Sequence, residues 1–345
     1  MSIQTDTTLE KKLNISKFEE IPVSTKTFIV RTNITVDIQK LFEFLPITEY
    51  TLVPKRRGRK KKTAITDPNK NISTGSIITL DLANVIRGVV LKKKKKKEGK
   101  TNDYFRNSVT VVMVVEGKKI NFKISRNGKF QMTGCKQDKH AEMCVKYIWE
   151  YIRGNKDIYI LSEKYLKAMF IPAMRNIDFN LGFILDREKL GKYFNTNTDY
   201  CSLLETSIGY TGVNIKVPVR KLITELKLKE LTYKNNDWVR PDYVPYQNYL
   251  DTLKPKEQQK KLDKERFNTF LVFHSGKTIM SSMCEEFARE TYYEFLEIVN
   301  KNYQKFEEKL KLDKVAVIDE NDSELISTSC SSITDENSSS VQTIQ

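Results

Sequence analysis

The feature that most constrains this chain is a motif written twice. FLVFHSGKTIMSS, Phe270 to Ser282, has a degenerate copy in FKISRNGKFQMTG, Phe122 to Gly134. Aligned on the Gly-Lys pair, Gly128 and Gly276 lie 148 residues apart. In each copy a period-two strand runs into an Asn-Gly or Ser-Gly turn and then a second strand, the pattern of a β-hairpin. An amphipathic helix follows each hairpin. The first, DKHAEMCVKYIWEYIR, places Ala141, Cys144, Val145, Ile148 and Ile152 on one face; the second, over about 284–310, places Phe287, Ala288, Thr291, Phe295, Leu296 and Val299. A half-domain that recurs in this way must pair with its twin.

The likeness extends upstream. TKTFIVRTNITV (Thr25 to Val36) alternates like a strand and runs into DIQKLFEFLP, where Asp37 can cap a short helix. RNIDFNLGFIL (Arg175 to Leu185) followed by DREKLGKYFN repeats that grammar, with Asp186 149 residues after Asp37. SIGYTGVNIKVPV then mirrors NVIRGVVLKK, matching Gly212 to Gly88, Val213 to Val89 and Lys216 to Lys92 at an offset of 124, so the second half gains its extra length in 220–265. The expected organisation is a loose N-terminus at 1–20 and a first repeat at 21–153 with basic insertions at 52–74 and 92–107. A connector at 154–171 leads to a second repeat at 172–311 with the charged insertion, and an acidic, Ser-rich, disordered tail at 312–345 follows. Strand, helix, several antiparallel strands and a long helix, twice over, predict an α+β fold with its helices segregated on one face of the sheet. The other face is left open.

Composition narrows the function of that face. The chain has 345 residues, 39% of them hydrophobic, enough for a substantial core. It contains no apolar run approaching roughly 18 residues, and MSIQTDTTLEKK lacks the apolar core of a signal peptide. Cys135, Cys144, Cys201, Cys284 and Cys330 form no C-x-x-C pair and suit a reducing compartment; with His140 and His274 the chain's two histidines, a metal or triad enzyme is poorly supplied. The net charge is +15, and it understates the basic excess, because the six acids after Lys314 are accompanied by no Lys or Arg. Such an excess attracts polyanions, nucleic acid first; an AT-rich coding bias towards Lys, Asn and Ile would give part of it. The octet KRRGRKKK (Lys55 to Lys62) fits a nuclear-localisation patch, a phosphate-binding arm or a solvated charge run. SIITLDLANVIRGVVLKKKKKK reads as a strand ending in six lysines, Lys92 to Lys97, which mark its exposed end.

Period two assigns the faces. In the anchor strand Phe270 and Val272 point one way, Leu271 and Phe273 the other; in the preceding strand Val213, Ile215 and Val217 oppose Tyr210, Gly212, Asn214 and Lys216. Apolar wedges beside cations suit minor-groove DNA, where side chains unstack base steps. As ordinary aromatics under a loop or helix, Phe273 and Tyr210 would instead belong to the core.

With these motifs in place, FKISRNGKFQMTGCK and FLVFHSGKTIMS resemble the two copies of the strand-turn-strand of the TATA-box-binding protein family, apolar-Phe-x-Ser-Gly-Lys-x-x-x-Thr-Gly. Together with RNIDFNLGFILDREKL and the pair IRGVVLK and YTGVNIK, the likeness covers roughly 25–153 and 172–310. It is nearest to the divergent members of large cytoplasmic DNA viruses. The resemblance implies a pseudo-twofold saddle: a curved antiparallel sheet, helices on the convex face, the concave face on the minor groove. It places Phe273 and Tyr210 on the wedge positions of the second repeat, and Ile86 and Ser125 on those of the first. It places Asn176 on the groove-reading asparagine, and Lys129, Gln131, Thr133, Asn214, Leu271, Lys277, Ile279 and Ser281 on strand positions facing DNA. Lys92 and Lys216 take the cation that ends the second strand.

What the resemblance implies is a transcription initiation factor that binds and bends AT-rich promoter DNA as a monomer, without cofactor, metal or catalytic residues. Its partners would be an RNA polymerase and a basal factor B-like protein, in the nucleus or a cytoplasmic viral factory of the host cell. A protein-interaction scaffold that keeps the saddle without specific DNA binding is the alternative, and divergent wedges favour it. An enzyme with a saddle-like accessory domain would need a catalytic domain outside the repeats, and no stretch of adequate length remains.

Overall fold

The computed structural model describes residues 16–52, 68–91, 107–204 and 212–308. The first repeat comprises β1 (Val23–Thr32), β2 (Ile34–Val36), α1 (Ile38–Phe44), β3 (Ile77–Leu82), β4 (Val85–Gly88), β5 (Ser108–Val115), β6 (Lys118–Ser125), β7 (Lys129–Cys135) and α2 (Asp138–Ile152). After β8 (Tyr159–Leu161), the second comprises β9 (Lys167–Asn180), α3 (Arg187–Asn197), β10 (Cys201–Leu204) and β11 (Gly212–Pro218). Its insertion follows, with β12 (Lys227–Lys234), β13 (Asp237–Trp238), β14 (Asp242–Pro245), α4 (Tyr246–Asp251) and α5 (Pro255–Leu262), and then β15 (Phe267–Phe273), β16 (Lys277–Ser282) and α6 (Glu285–Phe306).

One antiparallel sheet runs β10-β11-β15-β16-β9-β1-β7-β6-β5-β3-β4, so the halves join edge to edge through β1 and β9. Lys26 pairs with Arg175, and each is the other's counterpart at the 149-residue offset; the internal twofold axis passes through this pair. Hydrogen bonds repeat with the sequence. Thr32 N–H donates to Gly128 O and Leu181 N–H to Gly276 O; Val36 donates to Arg126 O and Leu185 to His274 O; Asp37 donates to Ile158 O and Asp186 to Phe306 O. The duplication read from the motif is a duplication of backbone geometry.

The twin turns explain why the Gly-Lys pair survives in both copies. Gly128 has φ +66° and Gly276 φ +79°, the left-handed region that glycine enters without steric cost. A Cβ on Gly128 would drive into the carbonyl oxygen of Ile34, and one on Gly276 into that of Phe183, its counterpart 149 residues on. Each turn is thereby pressed against the strand exit that leads into α1 or α3. Those helices start on the two aspartates: the Asp37 carboxylate accepts from Gln39 and Lys40 N–H at 3.0 and 3.2 Å, and Asp186 from Lys189 N–H at 3.0 Å. Each satisfies donors at a helix start that lack an intrahelical partner.

The helices cover one face of the sheet. Val30, Val111, Phe122, Phe130 and Met132 meet Ala141, Val145 and Ile148 in the first repeat; Val213, Ile215, Phe270, Val272 and Met280 meet Phe295 and Val299 in the second. Phe270 stacks on Phe295 at 3.9 Å between centroids. Buried Asn268 ties β15 to α6 by donating to Phe287 O at 2.6 Å and Thr291 Oγ1 at 2.7 Å. This is the α+β topology, helices on one face, that the repeat implied, and the saddle that the resemblance implied.

Two expectations about the strands are corrected. SIITLDLANVIRG is not one strand but the hairpin β3-β4, turning on Ala83 and Asn84 with φ +48° and +74°. And the alignment of NVIRGVVLKK with SIGYTGVNIKVPV is not the structural one: β11 lies beside β15, and the strand beside β6 is β5, whereas β4 is the outermost strand, beyond β3. The shared glycine misled the alignment. Gly88 has φ +87° and presses on the carbonyl of Ile78, while Gly212 lies in regular strand and makes room for the Leu271 side chain, 2.8 Å from where its Cβ would be.

Candidate nucleic-acid interface

The face opposite the helices is built by the odd members of β15 and their neighbours. Burial alternates as period two requires: Asn268, Phe270 and Val272 are buried towards α6, while Thr269, Leu271 and Phe273 are partly exposed on the other side. Lys277, Ile279 and Ser281 of β16 and Asn214 and Lys216 of β11 share that side. Cross-strand pairing sets them in rows, Leu271 beside Asn214 and Ile279, and Ile279 beside Asp178 of β9. Leu271, Phe273 and Ile279 belong to none of the hydrophobic clusters of the fold. The first repeat presents the equivalent row as Lys123, Gln131 and Ile29, more polar and more cationic.

Asn176 sits on this face beside Thr25 and Ser281, next to the internal axis. Its Oδ1 is buried and has no hydrogen-bond partner among the described residues. An unsatisfied buried carbonyl is costly, and a donor arriving from outside would satisfy it. Lys129, Gln131 and Thr133 lie on β7 with Gln131 and Thr133 exposed; the Ser125 hydroxyl is turned inward, donating to Asn127 Oδ1 at 2.9 Å and Lys129 O at 3.0 Å.

The structure separates several residues that sequence reasoning brought together. Ile86 is on β4, separated from β6 by the two strands β5 and β3, so it does not stand beside Ser125 as a second wedge. By the pairing of Gly212 with Phe273 and Ser108 with Ser125, the first repeat's counterpart of Tyr210 falls two residues before Ser108. That position, Tyr210 itself, and Lys92 with the rest of its lysine run lie outside the described residues.

Sequence reasoning also left the face uniformly open, and two patches of it are covered. At the outer edge of the first repeat Ile78, Val112 and Val114 form a small cluster under Tyr50, Ile72 and Leu91, with Lys119 Nζ 3.0 Å from Tyr50 Oη. Ile72, within the basic insertion at 52–74, therefore packs on the sheet together with Tyr50 and Leu91, which flank the two insertions. Near the axis, Tyr246, Tyr249 and Leu250 of α4 pack over Met169, Ile171 and Ile29, and Arg31 Nη2 donates to Thr252 O at 3.3 Å. The inserted β12 continues the sheet along β9, pairing Lys229 with Phe170 and Thr232 with Lys167. A YxxYL spacing on α4 was the signal for this docking: three apolar groups on one helical face with nothing in their own segment to cover them. Among the described residues no group of three or more His, Cys, Asp or Glu could hold a metal, and no helix is long and apolar enough to cross a membrane.

Two like halves, one continuous antiparallel sheet, helices on one face and a partly exposed, cation-edged apolar surface on the other define a duplicated saddle protein. No family model matches the chain. Among curated proteins it is 28% identical over 238 residues to the TATA-box-binding protein-like protein of Acanthamoeba polyphaga mimivirus, covering 61% of this chain and 59% of that one. It is 27% identical over 222 residues to the uncharacterized protein 335L of Invertebrate iridescent virus 6, covering 61% and 65%. The chain thus matches less than two thirds of the length of either relative. Among solved structures, Methanococcus jannaschii TBP aligns over 82% of this chain and 99% of its own at 13% identity, with a TM-score of 0.40. The chain is thus similar in sequence to a viral TATA-box-binding protein-like protein, at a divergent level of identity.

Proposed function

We propose that the chain is a transcription initiation factor that binds AT-rich promoter duplex through the minor groove with the open face of its sheet. The observation that supports this best is the second repeat's surface: Leu271, Phe273 and Ile279 stand outside every hydrophobic cluster, with Lys216 and Lys277 on the same face. Apolar side chains so placed can enter a base step, while the ammonium groups meet phosphates and release counterions. Phe273 is the wedge of this repeat, and the Asn176 carboxamide donates through Nδ2–H to the adenine N3 and thymine O2 acceptors of the minor groove. The helical face and the β12–β14 part of the insertion are left to an RNA polymerase and a factor B-like protein. No catalytic role is assigned.

The covered patches around Ile29 and Val112 favour a second reading, a scaffold of the transcription machinery without specific DNA binding. Duplex affinity measured against salt separates the two. For the DNA-binding factor log K falls steeply with log salt, and Phe273→Ala weakens binding to an AT-rich site more than to a GC-rich duplex. A slope near zero supports the scaffold, and equal losses on both duplexes remove Phe273 from the wedge role.

A further inference from the structure

We propose that the α4–α5 insertion is a phosphate-binding arm, holding the sugar-phosphate backbone of the duplex beside the end of the open face where the first repeat has no wedge. The inference rests on the DNA-binding reading above and adds a contact that the repeats themselves do not contain.

Ser125, with its hydroxyl tied to Asn127 and Lys129, has no apolar body to insert into a base step. That end of the sheet, where Lys129 pairs with Arg31, is where the chain after α4 docks, through the bond from Arg31 to Thr252 O. Docking brings the cations of α5 and the segment after it over the sheet. Lys261, Lys264 and Arg266 line a cavity of about 460 Å³ together with Lys216, Thr269 and Ser281 of the open face. Arg266 is held in place by donating to the carbonyls of Lys264, at 2.8 Å, and Lys261, at 2.5 Å. The Lys261 ammonium is half-buried among like charges: its pKa is pushed down by burial and then by Lys129, Lys264 and Arg266, and Glu257 on its own helix opposes the shift. Glu265 also lines the cavity, and Asp263 is engaged by Gln259. Among the described residues none of Lys129, Lys216, Lys261 and Lys264 forms an ion pair.

Cations packed against one another destabilise the free protein and are relieved by a polyanion. A mononucleotide-sized anion would engage one or two of these groups. A backbone with regularly spaced phosphates can engage Lys129 from the sheet and Lys261 and Lys264 from the arm together. The duplex is then held by unlike devices, an aromatic wedge at one end and a cationic helix at the other.

The test uses the full chain and a 20-base-pair AT-rich duplex, with Kd measured across a salt series. Each phosphate contact contributes about 0.9 to the slope of log K against log salt. Lys261→Gln/Lys264→Gln is expected to lower the slope by about 1.8, and Lys264→Gln alone, at an exposed position, by about 0.9. The melting temperature of the double variant is expected to equal or exceed that of the parent, because a repulsion has been removed. A parental slope that both variants retain overturns the arm and leaves the DNA-binding reading standing. A parental slope near zero overturns both.

Discussion

Replacing Gly276 by alanine tests the duplicated architecture at the turn that presents Phe273 and Lys277. At φ +79° an alanine suffers the left-handed penalty of about 1–2 kcal/mol. Its Cβ would also run into Phe183 O and approach Asn180 Oδ1 at 2.9 Å, so the strand exit after β9 must move. Two backbone hydrogen bonds hold that exit, Leu181 N–H to Gly276 O at 3.0 Å and Leu185 N–H to His274 O at 2.8 Å. Weakening both adds about 0.5–1.5 kcal/mol each, giving a total of about 2–5 kcal/mol and a fall in Tm of roughly 5–15 °C. Gly134→Ala is the control, because Gly134 has φ +83° but no heavy atom within 4 Å of the place its Cβ would take; it is expected to cost only the left-handed term, about 1–2 kcal/mol. Thermal unfolding followed by circular dichroism reads both. Equal losses for the two alanines would refute the claim that close backbone packing, and not the dihedral alone, fixes this turn.

Two further outcomes follow from named groups. Burial lowers the pKa of His140 in spite of Glu116 beside it, and Nδ1 accepts from Lys136 N–H at 3.2 Å, a bond lost on protonation. The unfolded chain therefore takes up this proton first: stability is whole above about pH 6.5 and falls as pH drops towards the lower folded pKa, so Tm should decline between pH 7 and 5 by less in His140→Gln than in the parent. On AT-rich duplexes of varied phasing, the bend should centre at the Phe273 end of the site; kinks of equal size at both ends would contradict the assignment of Ser125 as a position without a wedge.

The repeat was legible because its signals are local and chemically demanding. A turn that only glycine fits and an aspartate that caps a helix leave few alternatives, and both recur at offsets of 148 and 149 residues. Period two likewise gave the faces of β11 and β15, since each strand is buried on one side. The pairing of Ile86 with Tyr210 was not legible, because Gly88 and Gly212 look alike in sequence and serve different geometries. Nor did the insertion announce its seat. The Tyr246, Tyr249 and Leu250 face is visible as a helical stripe, but its partners Met169, Ile171 and Ile29 lie at least 75 residues earlier in the chain and are reached only once the sheet exists.

The central claim, that duplex DNA lies on the open face of the duplicated sheet, is tested most directly by amine-reactive labelling of the full chain with and without an AT-rich duplex, read by mass spectrometry. The account predicts that Lys129, Lys216 and Lys277 are shielded by the duplex while Lys189 of α3 and Lys301 of α6, on the helical side, label as before. Shielding of Lys189 and Lys301 with Lys129, Lys216 and Lys277 unchanged would place the DNA on the wrong side of the sheet and contradict it.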